Sequence, residues 1–188
     1  MFLNSEEIKR MERLYGRPAE DHVSFEMGER DWGVLRGSQT AGRAHDVTLY
    51  VRRGEDVAVI AKHNYPPGIF RAPSGGLLPA ESMEAGIARE MMEETGLEIA
   101  LRRYLLREEV DFSHGSEVVH WTTHVFTADP ISTDLAPRDH KEIREARWIS
   151  MEELSGRIGD ALAASPSAGL RYRAYLHRRV MEELSRPG

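Results

Sequence analysis

Hydrophobic positions along the chain change period several times, and each change marks an element. Ile8, Met11, Leu14 and Tyr15 recur at spacings of three and four behind Asn4, which has Glu7 three residues on. That is a capped helix running to Gly16-Arg17-Pro18. Residues 23–27 and 32–36 are predicted as short strands on either side of a turn at Gly28, and the polar stretch 37–42 as a loop. Residues 47–51 and 57–61 are dense apolar runs around Arg53-Gly54-Glu55-Asp56, hence a strand pair with a tight turn. A loop rich in proline and glycine, 64–76, precedes a predicted helix over 82–95, with Gly96 in the left-handed position that ends it. Strands are predicted at 100–110 and 117–127, a loop over 129–142, and a short strand at 146–149. Two helices, 151–163 and 168–184, flank Ser165-Pro166-Ser167.

Strands dominate the middle and helices are interspersed, so the expected class is α+β, a mixed sheet with helices on its faces. At 188 residues the chain is long enough for one compact domain and barely long enough for two, and 40% hydrophobic with 30% charged residues is ordinary for a soluble globular protein. No apolar run is long enough for a signal peptide or a membrane span, so a cytoplasmic protein without a membrane partner is expected. The net charge of -6 argues against a nucleic-acid polymer as partner. It leaves room for a small anionic ligand, because a bound metal ion reverses the local field. With no cysteine, disulfides, thiolate metal sites and cysteine nucleophiles are excluded.

The chemistry concentrates between Gly75 and Leu97. On the predicted helix Glu90, Glu93 and Glu94 stand at i, i+3 and i+4, so their carboxylates share a face and repel. Arg89 alone cannot neutralise three acids; a divalent cation would. Oxygen-only ligands suit a hard ion, Mg²⁺ or Mn²⁺, which takes further ligands from water and phosphate. Ala85, Ala88 and Met92 form one apolar row, with Met83, Ile87 and Met91 beside it, so the helix is expected to bury the side opposite its acids.

Gly75, five residues, Glu81, seven residues, then Arg89-Glu90-Met91-Met92-Glu93-Glu94-Thr95-Gly96-Leu97 fills every defined position of the Nudix box. By this resemblance the chain is identified as a member of the Nudix hydrolases. The resemblance implies an α/β/α sandwich over about residues 44–155, and with it a division into an N-terminal extension, 1–43, and a Nudix domain with C-terminal helices, 44–188. It also implies metal-dependent hydrolysis of a diphosphate bond in a nucleoside diphosphate linked to another group, with ADP-ribose or a nucleotide-sugar the first candidates. Cleavage of nucleoside triphosphates and a non-catalytic nucleotide-sensing module are the alternatives. Carried over residue by residue, Glu90, Glu93 and Glu94 resemble the metal-binding acids, Glu93 and Glu94 also serving catalysis, and Glu81 a supporting acid at the helix entry. Arg89 resembles the residue that orients a neighbouring acid, and Gly75 and Gly96 the permissive turns at either end. A small nucleotide is the implied partner, and the extension resembles those that pair two subunits into a homodimer.

The base that takes water's proton is left open among Asp139, Glu142 and Glu145, with Glu142 preferred for its place just before the strand of Trp148. Arg71, next to the Gly-Gly loop, is a candidate phosphate contact, and Trp32 and Phe70 are candidates for stacking on a base, although core packing is the commoner task of an aromatic. His120 and His124 are read as ordinary sheet-face residues, and Arg171, Arg173, Arg178 and Arg179 as a solvated helix face.

Overall fold

A computed structural model describes residues 3–39 and 42–186. Helix α1 (Ser5–Tyr15) begins where the Asn4 side chain accepts from the Glu7 amide. Strand β1 (Ala19–Glu26) follows, then helix α2 (Glu29–Ser38), β2 (His45–Arg53), β3 (Asp56–Lys62), the two-residue β4 (Ser74–Gly75) and helix α3 (Met83–Glu94). The long hairpin of β5 (Ile99–His114) and β6 (Glu117–Pro130) leads to β7 (Ile143–Ser150). Helix α4 (Met151–Glu153) runs into a π-helical turn (Leu154–Ile158) and α5 (Gly159–Ala163), and α6 (Ala168–Ser185) closes the chain.

The strands form one mixed sheet in the order β1-β5-β6-β2-β3-β7, with β4 also paired to β2. β1 runs parallel to β5 and β2 parallel to β6; the other neighbours are antiparallel. One layer packs Met11 of α1 and Met83, Ile87 and Met91 of α3 against Val47, Leu49, Tyr104 and Phe126. The other packs Trp32 and Leu35 of α2, the helical turns after β7, and Leu176 and Val180 of α6 against Tyr50, Leu106, Val110 and Val125. The result is the expected α/β/α sandwich. The N-terminal stretch belongs to both of its layers: α1 lies on one face beside α3, and β1 is an edge strand of the sheet.

The predicted strand at 32–36 is a helix. Trp32 and Leu35, three apart, are the buried pair, while Val34 between them is exposed, which is a helical and not an alternating pattern. Glu29 and Asp31 in the first turn favour the helix start. Its last turn takes in Gly37 and Ser38 of the predicted loop, and part of that loop, residues 40 and 41, lies outside the described residues. The helix expected over 151–163 is broken at Gly156, which adopts the non-helical φ -88°, ψ -109°. Among the described residues no helix is long and apolar enough to cross a membrane.

Candidate functional site

The loop from Ser74 to Ser82 and helix α3 build the site. Ser82 caps the helix, accepting from the Ala85 amide at 3.2 Å. At the other end Gly96 takes φ +77° and its amide reaches the Met91 and Met92 carbonyls, closing the helix as its sequence foretells. A Cβ there would lie 2.3 Å from the carbonyl oxygen of Ala136, so the downstream loop is pressed against the bare α-carbon. That loop is also tied to the helix end by the Arg138 and Asp139 amides, both 2.9 Å from the Glu93 carbonyl.

The buried stripe of α3 is Met83, Ile87 and Met91 together with Gly86 and Glu94; Ala85 and Ala88 face solvent. The acids therefore flank the buried face and do not stand opposite it. An alanine row has too little apolar area to decide a helix's orientation, and the three long side chains decide it instead.

Arg89 makes as many hydrogen bonds as it has N–H groups. Nε and Nη2 hold the two oxygens of Glu81 at 3.0 and 2.9 Å, Nη1 holds Glu90 at 2.8 Å and Glu93 at 3.1 Å, and Nη2 also holds the Gly76 carbonyl at 2.9 Å. Glu81, Glu90 and Glu93 are thus gathered around one guanidinium, with Glu93 the most exposed of the three. Hydrogen bonding to Arg89 holds the Glu81 carboxyl below the usual range. Burial pushes the Glu90 carboxyl up, and although Arg89 opposes this, the nearby Glu94 and Glu93 add to it. Glu90 packs so closely on Gly75 that a Cβ would fall 1.9 Å from its carboxyl carbon.

Glu94 is set apart from the other acids. It is buried, accepts from the Ser74 amide at 2.8 Å, and pairs with Nη2 of Arg71 at 3.3 Å. Arg71 is buried too. Its remaining bonds go to the Tyr65 hydroxyl, the Ala72 carbonyl and the Ser74 hydroxyl, so its guanidinium is directed inward to Glu94 and the loop.

The other predicted residues are scattered. Glu142 is exposed, and its carboxylate pairs with Lys62. Its neighbour Asp139 accepts from the Lys141 and Glu142 amides, shaping the turn, and Glu145 pairs with Arg147. Phe70 is buried beneath the guanidinium of Arg147 at 4.3 Å and borders an open cavity of about 410 Å³ shared with Arg144 and Arg157. Trp32 lies on α2, stacked on His114 at the far end of the β5–β6 hairpin. His120 is exposed and pairs with Asp111; His124 is buried against the Tyr104 hydroxyl, and burial takes it down to about 3, so it is neutral. Arg173 and Arg179 turn inward, Arg173 to the buried Asp46 at 3.0 Å and Arg179 to Asp21 and Glu183. Arg43, which no motif in the sequence singles out, lays its guanidinium against Gly76. Its only signal in the sequence is its place just ahead of β2.

Among the described residues no three acidic, histidine or cysteine side chains converge on one point. The donor chemistry nonetheless suits a hard divalent cation: carboxylate oxygens from Glu90, Glu93 and Glu94, with Glu90 pushed up by its burial and a glycine leaving the space beside it.

The fold and this helix define an α/β/α sandwich with a carboxylate-bearing helix entered through a glycine pair. The family model for the NUDIX domain matches residues 42–168, and the chain belongs to the Nudix family. It is 29% identical over 106 residues to the NAD-capped RNA hydrolase NudC of Pseudomonas aeruginosa, a stretch covering 56% of this chain and 36% of that protein. The chain thus spans little more than a third of the length of such relatives. It is 29% identical over 142 residues to the RNA pyrophosphohydrolase of Erythrobacter litoralis, covering 68% of this chain and 84% of the other. A MutT NUDIX hydrolase from Burkholderia pseudomallei superposes with TM-score 0.51 at 20% identity, covering 76% of this chain and 98% of that one. An ADP-ribose pyrophosphatase from Streptococcus suis does so at TM-score 0.51 and 12% identity, covering 77% and 94%. At such identities these two share the fold.

Proposed function

We propose that the chain is a Mg²⁺- or Mn²⁺-dependent hydrolase of a diphosphate bond in a nucleoside diphosphate linked to another group, with ADP-ribose or a nucleotide-sugar the first candidate. The observation that carries this reading is the Arg89 fork, which gathers Glu81, Glu90 and Glu93 beside the glycine loop while burial and like charge load Glu90. Carboxylates brought together at that cost are relieved by a cation. In this reading Glu90, Glu93 and Glu94 would hold the ion, Glu81 and Arg89 fix their positions, and Ser74 and Arg71 keep Glu94 oriented. A divalent ion bound there neutralises charge on the phosphate oxygens and makes water a nucleophile near neutral pH. Glu142 takes water's proton; its support is that the 136–142 loop is fastened to the end of α3 through the Glu93 and Thr95 carbonyls.

A second reading takes its substrate from the relatives named for RNA: the diphosphate at a capped or triphosphorylated RNA end. The acidic net charge favours the small molecule. Both readings are met by one panel of ADP-ribose, nucleotide-sugars, nucleoside triphosphates, NAD-capped RNA and triphosphate-ended RNA, assayed with Mg²⁺ or Mn²⁺ and with chelator. Release of AMP from ADP-ribose that stops on chelation is the expected result. Glu94→Gln is expected to cost at least a hundredfold in kcat in a protein that still folds, with a lowered melting temperature because the buried Arg71 loses its partner. A folded Glu94→Gln enzyme with full turnover would remove Glu94 from the site, and metal binding without turnover across the panel would make the chain a nucleotide-sensing module.

A further inference from the structure

We propose that Arg43 grips a phosphate of the substrate at Gly76 of the glycine loop, beside the Glu90 carboxylate. This rests on the diphosphate reading above and adds to it a residue that lies outside the box. Three arginines touch the loop. Arg71 bonds Ser74 and is committed to Glu94; Arg89 bonds Gly76 and is committed to Glu81, Glu90 and Glu93. Arg43 has neither a hydrogen bond nor an ion pair among the described residues, and its Nε is buried without a partner. Leaving a guanidinium donor unsatisfied out of water is costly, and such a group calls for a partner, of which a bound anion is one.

The local geometry says which ligand. A Cβ on Gly76 would fall 1.6 Å from Nη1 and 2.1 Å from Cζ of Arg43, while one on Gly75 would fall 1.9 Å from the Glu90 carboxyl. Two consecutive glycines thus seat a cation and a carboxylate side by side on one loop. A planar fork with open donors, next to acids suited to a metal ion, matches the non-bridging oxygens of a phosphate whose neighbour faces the metal. The glycine at 76 is required for this: any side chain there displaces the fork.

The test is binding of ADP, with adenosine as the control lacking phosphate, measured by titration calorimetry in chelator, where no turnover occurs. Arg43→Ala is expected to weaken ADP about tenfold or more and to leave adenosine unchanged. Arg43→Lys is expected to recover only part of the loss, because a point charge cannot fork. Gly76→Ala keeps every charge and should weaken ADP by pushing the guanidinium off the loop, which serves as the check if Arg43→Ala melts early. On the panel compound that turns over, the loss should fall on KM more than on kcat. Wild-type affinity for ADP in folded Arg43→Ala, or no ADP binding by the wild-type chain, overturns the proposal. Weakened ADP binding in the variants of a chain that hydrolyses nothing on the panel keeps the phosphate grip and removes the hydrolase reading instead.

Discussion

A buried arginine and a buried glutamate must compensate each other, and Arg71 and Glu94 do so within a shell of neutral partners. Glu94 has the Ser74 amide on its second oxygen; Arg71 has the Tyr65 and Ser74 hydroxyls and the Ala72 carbonyl. Removing one partner strands the other charge away from water, at a cost of about 3–5 kcal/mol. Arg71→Met is therefore expected to lower the melting temperature by roughly 6–20 °C for a chain of this size. Adding Glu94→Gln should restore part of that loss, since the double variant no longer buries a charge. A single variant that melts within a degree of wild type would mean that the pair does not couple.

At the scale of elements, what is legible in the sequence depends on how much of an element's environment is local. Asn4, Ser82 and Gly96 announce the helix ends because capping is satisfied within a turn, and all three stand where they were expected. The strands of the middle of the chain were visible as dense apolar runs, buried as they are on both faces. Residues 32–36 form a helix and not the expected strand because three apolar residues among five fit either period, and only burial against His114 and β5 chooses between them. Glu81, Arg89, Glu90 and Glu93, which the box spacing groups, meet around the Arg89 guanidinium. That spacing could not show that Glu94 is paired with Arg71, a contact made across 23 residues. Gly96 tests the tie between helix and loop. Gly96→Ala puts a Cβ into the Ala136 backbone at φ +77°, where an L-residue alone costs about 1–2 kcal/mol. A loss of roughly 2–4 kcal/mol by denaturant titration is expected, with kcat falling as the 136–142 loop shifts. Unchanged stability would show that the loop yields freely.

Across the whole molecule the N-terminal segment and the last helix are joined to the sheet, and one titratable group sits where they meet. β1 pairs with β5 in the register that sets Asp21 beside Glu108, and the Tyr175 hydroxyl from α6 lies within hydrogen-bond distance of both, at 3.0 and 3.1 Å. Arg179 reaches the same Asp21 at 3.0 Å, and His22 is close enough to act on Glu108. Glu108 is fully buried, with one carboxylate oxygen unpartnered, and burial pushes it up to about 7 despite the Tyr175 bond. An acid whose folded pKa exceeds its unfolded value holds more protons folded than unfolded. Its contribution is complete below the unfolded value of 4.5 and is lost as pH rises through 7. Wild type is accordingly expected to lose on the order of 2 kcal/mol, or roughly 4–8 °C in Tm, between pH 5 and pH 8. Glu108→Gln, which keeps the shape and cannot ionise, should flatten that decline. Parallel melting profiles for the two proteins over this range would mean that Glu108 stays charged, with the hydration that its unpartnered oxygen then requires.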